Sequence, residues 1–330
     1  MVMCIRVPKE KAESFRSKLL ADGLLSRDHR LLSVGNDVLI PVVSRPAGMT
    51  VEEFILEEVE HKETDYRNLV GIENKDVLPT SFDVIGDVAV IKIPDDLAHL
   101  KNDIGKAIME TVRVRVVMMD SGVKGELRIR DLERIAGTGE SETIHKEFGV
   151  RMITDPSKVY FNPRLATERA RIASLVNDGE TIIDMFAGVA PFPLVISKHA
   201  SPKIIYAIDL NEDAAEFAKR NIELNKIKNI TVLQGDARVI IKDLPHADRV
   251  IMNLPQSASE FLDTALSRTK AGGVIHLHGI IERSELDTFK EQLQRNIKKF
   301  GYNASVEDTI ELKTYSPTMS VYVFDLRIEN

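Results

Sequence analysis

Apolar residues recur along this chain in two rhythms, and the change of rhythm divides it. In "KEKAESFRSKLLADGLL", Ala12, Phe15, Leu19 and Leu20 fall at helical spacing, and the run ends near Gly23. "DVLIPVV" then alternates as a strand, "SRPAG" is a loop, and "MTVEEFILEEVE" adds either a helix start or a strand. Residues 1–62 thus predict a small α+β module. Over 63–158 the strand candidates are "FDVIGDVAVIKIP", "VRVRVVMMD", "ELRIRDLERIAG", "ETIHKEFGVRMI" and "KVYF", with a helix from about Leu97 to Thr111. Gly149 reads as the turn of a strand pair, and the pattern predicts a second α+β domain with a mainly antiparallel sheet.

From 159 to 330 strands and helices alternate. "ETIIDMF", "KIIYAIDL", "NITVLQGD", "ADRVIMN" and "GGVIHLHGI" are near-continuous apolar runs. The helical stretches between them include "PFPLVISKHA", "NEDAAEFAKRNIELN", "SASEFLDTALSRT" and "RSELDTFKEQLQRNIKKFG". Apolar strands separated by helices mean an α/β domain whose parallel sheet is buried on both faces. "SVEDTIELKTYS" and "SVYVFDLRIE", joined by a short turn, should pair as antiparallel strands at the C-terminal edge.

At 330 residues the chain is long for one core, which agrees with three blocks. No run approaches the ~18 uninterrupted apolar residues of a membrane span, and the N-terminus lacks the apolar stretch of a signal peptide. The single cysteine, Cys4, has no intrachain partner and reads as a small core residue. A cytoplasmic protein without membrane association is expected. No long apolar heptad marks an obligate protein partner, so a monomer is expected. No metal-ligating spacing is evident; in "HLH", His276 and His278 follow the two-residue period of a strand.

The net charge of −7 argues against a nucleic-acid partner, but the sum hides local structure. Residues 106–130 carry six Lys/Arg against three acids, and residues 158–171 carry four against one. These stretches are either solvated faces or a small basic site on an acidic body.

Ligands of open α/β sheets bind beyond the carboxyl ends of the strands. Four successive strands end there in "DMFAGVAPF", "AIDLN", "QGDAR" and "NLP". They deliver Asp184, Phe186 and Gly188, then Asp209 with Leu210, then Asp236 with Ala237, then Asn253 with Pro255. Asp209 lies 21 residues beyond Gly188, where a carboxylate accepts hydrogen bonds from a ribose diol. The first turn has one glycine, and Pro191 removes an N–H from the helix that follows, so it is poorly equipped for a pyrophosphate. S-adenosylmethionine, which has an adenine and a ribose diol but an amino acid in place of phosphates, fits this rim. Asp236 is then the contact to the adenine amine. Taken singly, each aspartate could equally be a cap or an ion-pair partner.

Asn253 offers donors and an acceptor in one plane, suited to a nucleobase edge, and Pro255 stiffens its loop. The alternative is that both merely end the strand. Many enzymes that methylate amino or ring nitrogens place proline and an aromatic residue where this chain has Leu254 and Gln256. Glu168, in "NPRLATERARIASLV", is either an i,i+3 ion-pair partner of Arg171 or a general base. An ordinary carboxylate is a weak base for guanine N1, with a pKa of about 4.3. Partial burial, and a cation at guanine O6, would assist it. Arg128 in "GELRIRDLE" is the candidate cation.

"DMFAGVAPF", "AIDLN" and "MNLP", preceded by "LRIRDLERIAG", "TIHKE" and "KVYFNPRLATERARI", resemble the archaeal and eukaryotic tRNA (guanine-37, N1)-methyltransferases. "MCIRVPKEKAESFRSKLLADGLL" and "KTYSP" are also similar to archaeal members, so the likeness spans nearly the whole chain. The resemblance implies a tRNA-docking domain over 1–62, an RNA-binding domain over 63–158, and a class I, Rossmann-like methyltransferase domain over 159–330 that binds S-adenosylmethionine. It implies Glu168 as general base, Arg128 at guanine O6, and Asn253 positioning the base beside the cofactor. Tyr160 and Arg169 would line the site, Asp209 and Asp236 contact ribose and adenine, and Asp184 and Phe186 form the first loop. The partner implied is tRNA. Family members often have glycine where this chain has Ala190. Either Ala190 keeps a negative φ, or the loop differs slightly. The rival readings are a wyosine-pathway aminocarboxypropyl transferase on the same fold, to which "NLP" is foreign, and a non-catalytic tRNA-binding protein. Methylation of a wyosine intermediate stays open.

Overall fold

In the first unit of the chain, Met1–Asp65, two apolar periods meet on one small core. The computed structural model describes residues 2–26, 28–56, 64–125, 127 and 129–329. Strands β1 (Val2–Pro8), β2 (Leu32–Val34), β3 (Asp37–Pro41) and β4 (Glu52–Phe54) form an antiparallel sheet in the order β2-β3-β1-β4. Helix α1 (Ala12–Ala21) buries Leu19, with Ala12 and Phe15 beside it, against Ile5, Val7 and Ile40. Leu20, expected on the same stripe, is 42% exposed. It lies about 100° around the helix from Leu19. Gly23, at φ 69°, ends α1 as Leu24 N–H reaches back to the Leu19 carbonyl (2.8 Å). The ambiguous "MTVEEF" resolves as strand β4, while residues 57–63 lie outside the described residues.

The second unit, Tyr66–Asn330, begins with β5 (Asp83–Ile85), β6 (Val88–Ile91), α2 (Lys101–Thr111), β7 (Val116–Lys124) and β8 (Ile129–Gly137). The expected single strand "FDVIGDVAVIKIP" is a hairpin. It turns at Gly86 (φ 59°), where a Cβ would stand 2.2 Å from Thr143 Oγ1, so only glycine fits. The sheet is mainly antiparallel, as the pattern implied, with one parallel pair, β6 and β7, which α2 joins by a crossover. β9 (Thr143–Glu147) and β10 (Val150–Thr154) form a separate hairpin. Both turn residues, Phe148 (φ 45°) and Gly149 (φ 76°), are left-handed, as a two-residue hairpin turn of right-handed twist requires. "KVYF" is not a strand. Val159 and Phe161 are buried as the alternation implied, but among the described residues the segment joins no strand ladder.

The rest is α3 (Ala166–Leu175), β11 (Thr181–Asp184), α4 (Pro191–His199), β12 (Ile204–Asp209), α5 (Glu212–Leu224), β13 (Ile230–Gln234), α6 (Ala237–Ile240), β14 (Ala247–Met252), α7 (Leu262–Leu266), β15 (Thr269–Glu282), α8 (Leu286–Lys299), β16 (Ala304–Thr314) and β17 (Met319–Ile328). The helix expected over "SASEFLDTALSRT" shortens to α7 and a preceding 3-10 turn. The sheet runs β13-β12-β11-β14-β15-β17-β16, with β17 antiparallel to both of its neighbours. Helices α3, α4 and α5 cover one face, with Ile172, Leu194 and Phe217 in its core. Helices α7 and α8 cover the other, with Leu262 and Ile297. From β11 the chain winds outward through β12 and β13, then returns to β14. The crevice between β11 and β14 is where such a sheet places its ligand.

Candidate active site

One cavity opens at that crevice. Its wall includes ten of the residues expected there: Tyr160, Arg169, Phe186, Gly188, Asp209, Leu210, Asp236, Ala237, Asn253 and Pro255. Glu168 and Asp184 are not on the wall. Arg128 lies outside the described residues.

The loop after β11 is tied to the end of β12 by Asp209. Its carboxylate accepts the Gly188 N–H (2.6 Å) and the Asn211 N–H (2.9 Å). Each oxygen keeps a second lone pair, so a diol can still be bound there. Desolvation raises the Asp209 pKa, opposed by those two N–H groups. Asp184 is fully buried behind the loop. Its Oδ1 accepts the Phe186 N–H (3.3 Å), and its Oδ2 has no partner among the described residues. Burial pushes its pKa up to about 8, so the neutral acid prevails at pH 7.

Ala190 settles the question raised by the sequence. Its φ is 67° and ψ 39°, and it leads into Pro191 at the start of α4. A left-handed alanine costs roughly 1–2 kcal/mol. Its methyl is fully buried in the core, worth about 0.8 kcal/mol. Glycine would add about 0.4–1 kcal/mol of unfolded-chain entropy. These terms nearly cancel. We expect Ala190→Gly to change stability by less than about 1 kcal/mol in denaturant unfolding. A larger change in either direction would contradict this balance.

Asp236 caps α6 and pairs with Arg238 (2.6 Å). The Arg238 guanidinium lies over the Phe261 ring (4.9 Å), and Phe261 meets Phe186 edge to face (4.9 Å). This makes an aromatic and cationic wall beside the Asp236 carboxylate, suited to a flat ring with an exocyclic amine. Across the cavity, Asn253 follows Met252 at the end of β14, and Pro255 anchors the turn by accepting the Ile280 N–H (3.0 Å). Among the described residues, no hydrogen bond holds the Asn253 side chain.

Phe261, Lys313 and Tyr315 also line the cavity, and the sequence reading gave them no role. Lys313 and Tyr315 belong to "KTYSP", so the motif itself was the available signal. Desolvation lowers the Lys313 pKa, and the neighbouring Arg164 adds to the effect. Phe261 carried no signal beyond an ordinary helical apolar position.

Arg169 is a wall residue but is also structural. It is 1% exposed, pairs with Glu147 on β9 through both carboxylate oxygens (2.6 and 2.5 Å), and stacks near Phe161 and Phe192. Glu168, in the first turn of α3, is 3% exposed. Arg171 holds it with a two-pronged pair (2.7 and 2.8 Å), so the ion-pair reading is realised. Desolvation still leaves the Glu168 pKa raised, against the opposing pull of Arg171.

A doubly wound sheet with polar residues at four successive strand ends, a carboxylate with lone pairs left for a diol, and an aromatic wall make an open α/β fold whose cavity suits a nucleoside. A family model described as the TRM5/TYW2 methyltransferase domain matches residues 143–306. Models described as the TYW2 N-terminal domain and the tRNA methyltransferase 5 N-terminal domain match residues 68–141 and 4–50. The chain is 39% identical to tRNA (guanine(37)-N(1))-methyltransferase Trm5b of Pyrococcus abyssi, over 99% of each chain. The crystal structure of that wild-type Trm5b superposes with a TM-score of 0.79 at 38% identity, covering 100% of both chains. The structure of aTrm5 in complex with tRNALeu gives 0.73 at 31% identity, covering 99% of this chain and 100% of that one. The chain belongs to the TRM5/TYW2 methyltransferase family.

Proposed function

We propose that this chain is a tRNA methyltransferase acting on N1 of guanosine 37, with S-adenosylmethionine as methyl donor. The observation that carries the reading is full-length likeness to Trm5b, supported by a cavity lined by ten of the eleven residues expected to hold the cofactor. The residues fit that cofactor. Asp209 has lone pairs left for a ribose diol, and the Phe186–Phe261–Asp236 wall suits adenine. When bound, S-adenosylmethionine supplies a methyl group activated by a sulfonium.

The chain's own residues do the rest. The Asn253 amide grips the purine edge and orients N1. Arg128 stabilises the negative charge that grows on O6 as N1 loses its proton. Glu168 accepts that proton. To reach the purine its carboxylate turns away from Arg171 toward the wall formed by Leu165 and Arg169 of the same segment. Tyr160 flanks the extruded base; its position on the cavity wall, 40% exposed, supports this role.

The test is an in vitro assay on unmodified tRNA transcripts with guanosine or another base at position 37. A methyl mass increment on the guanosine transcript alone is expected. The larger aminocarboxypropyl increment, or methylation that ignores position 37, would overturn the reading.

A further inference from the structure

Behind the cavity wall Glu168 belongs to a chain of buried and part-buried polar groups whose other members have no part in the binding and chemistry described above. Arg171 is shared. Its Nε and Nη2 donate to Glu168, while its Nη1 (2.7 Å) and Nη2 (3.2 Å) donate to Asp325 on β17. Asp325 in turn accepts from His276 Nδ1 (2.6 Å), directly opposite on β15. Arg249 on β14 donates to His276 Nε2 (2.7 Å) and pairs with Glu180 at the far end (2.8 and 3.0 Å). Because a guanidinium can only donate, Nε2 of His276 is the acceptor and Nδ1 carries the proton. His276 is therefore neutral and its hydrogen bond runs toward Asp325.

We propose that Arg171 and Asp325 are positioning residues that tune Glu168 as a base, Asp325 by drawing off part of the Arg171 cation that would otherwise neutralise it. The proposal rests on the reading of Glu168 as general base. The two carboxylates are not equivalent. Asp325 holds both Arg171 and the His276 N–H, and these outweigh its burial and keep it ionised. Among the described residues Glu168 has only Arg171 as a hydrogen-bond partner. The nearest further group, His278 Nε2 on β15, is 3.8 Å away, beyond hydrogen-bond reach, and burial keeps that ring neutral. Asp308 on β16 and Asp325 both repel a charge on Glu168. Glu168 is thus the carboxylate with affinity for a proton. When it turns to the purine, the part-buried Arg171 keeps Asp325 as partner and is not left without a counter-charge.

The test is the pH dependence of single-turnover methylation, with saturating tRNA and S-adenosylmethionine. Asp325→Asn leaves Arg171 to Glu168 alone. Its acid limb should move down by about one pH unit, and its plateau rate should fall severalfold. Arg171→Leu removes the cation. Its acid limb should move up by about a unit or more, with activity recovered at alkaline pH. Opposite shifts are the signature, since a merely structural role would lower the rate at every pH and leave the limb in place. Melting curves and S-adenosylhomocysteine binding establish that each variant is folded. If Arg171→Leu does not fold, the direction of the Asp325→Asn shift decides alone. Limbs at the parent position, or moving together, overturn the proposal. A Glu168→Gln variant with undiminished chemistry instead overturns the base assignment beneath it.

Discussion

Glutamine at position 168 is expected to leave tRNA and S-adenosylmethionine binding close to the parent's and to slow the chemical step by ~10²–10⁴. The amide has the shape of the carboxylate and can still accept a hydrogen bond from Arg171, but it cannot take a proton. The fold should tolerate it, because Asp325 already holds the Arg171 guanidinium from its other edge (2.7 and 3.2 Å). The loss should therefore fall on the rate. Guanine N1 bears a proton at neutral pH, and methylation leaves a cationic base unless that proton departs. Glu168 suits the task for two reasons. It is 3% exposed, which raises its affinity for a proton, and it stands on the same helix as the wall residue Arg169. Rapid-quench single turnover separates chemistry from product release. A rate within about threefold of the parent would fall well short of a lost general base, and would remove Glu168 from the mechanism.

The rim of the site was legible because its residues obey local rules. Each aspartate or asparagine follows an apolar run, and in an open parallel sheet every such end faces the same crevice. Asp209 and Asn253 could be placed from these rules alone. The depth behind the rim was not legible. Arg171 and Asp325 stand 154 residues apart, and they meet only because β17 enters between β15 and β16 with Asp325 opposite His276. The sequence assigned "HLH" to a strand with both histidines on one face, which is what β15 shows. It could not reveal that Glu168 of α3 and Phe192 of α4 lie against His278 on this face and that both rings are buried (0% and 1% exposed). Glu168 shows the same division. Spacing disclosed its i,i+3 partner, and the fold added the second carboxylate on that partner. The elements misread, the hairpin at Gly86 and "KVYF", both depend on what lies across from them: Thr143 in one case, and in the other the Asn211 side chain at the Lys158 carbonyl (2.9 Å) rather than a neighbouring strand. Ala190 stood between two readings that only a backbone angle could separate, and the angle is left-handed.

The largest loss of stability is expected from Glu147→Ala. Arg169 is among the largest fully buried side chains of the molecule, and Glu147 supplies its counter-charge through two hydrogen bonds of 2.6 and 2.5 Å. The Asn162 carbonyl accepts one further N–H (3.2 Å), and the Phe161 and Phe192 rings lie 5.6 and 6.0 Å from the guanidinium. None of these replaces a carboxylate. Removing one partner of a buried pair typically costs about 3–5 kcal/mol, because the remaining charge is left without compensation. The same principle makes a second variant informative. Replacing both residues by apolar side chains of similar volume, Glu147→Leu with Arg169→Met, should recover most of the loss. The pH dependence has a definite sign. Burial raises the Glu147 pKa, but Arg169 and His145 outweigh it and hold the carboxyl below its ordinary value. Its contribution is therefore complete above the unfolded carboxylate range and is lost as pH falls through the lower native value. The gap between parent and Glu147→Ala in denaturant unfolding should be widest near neutral pH and narrow under acid. A gap below about 1 kcal/mol at neutral pH would mean that Arg169 finds water or another acceptor once Glu147 is gone, and that the link between α3 and the β9 hairpin is packing alone.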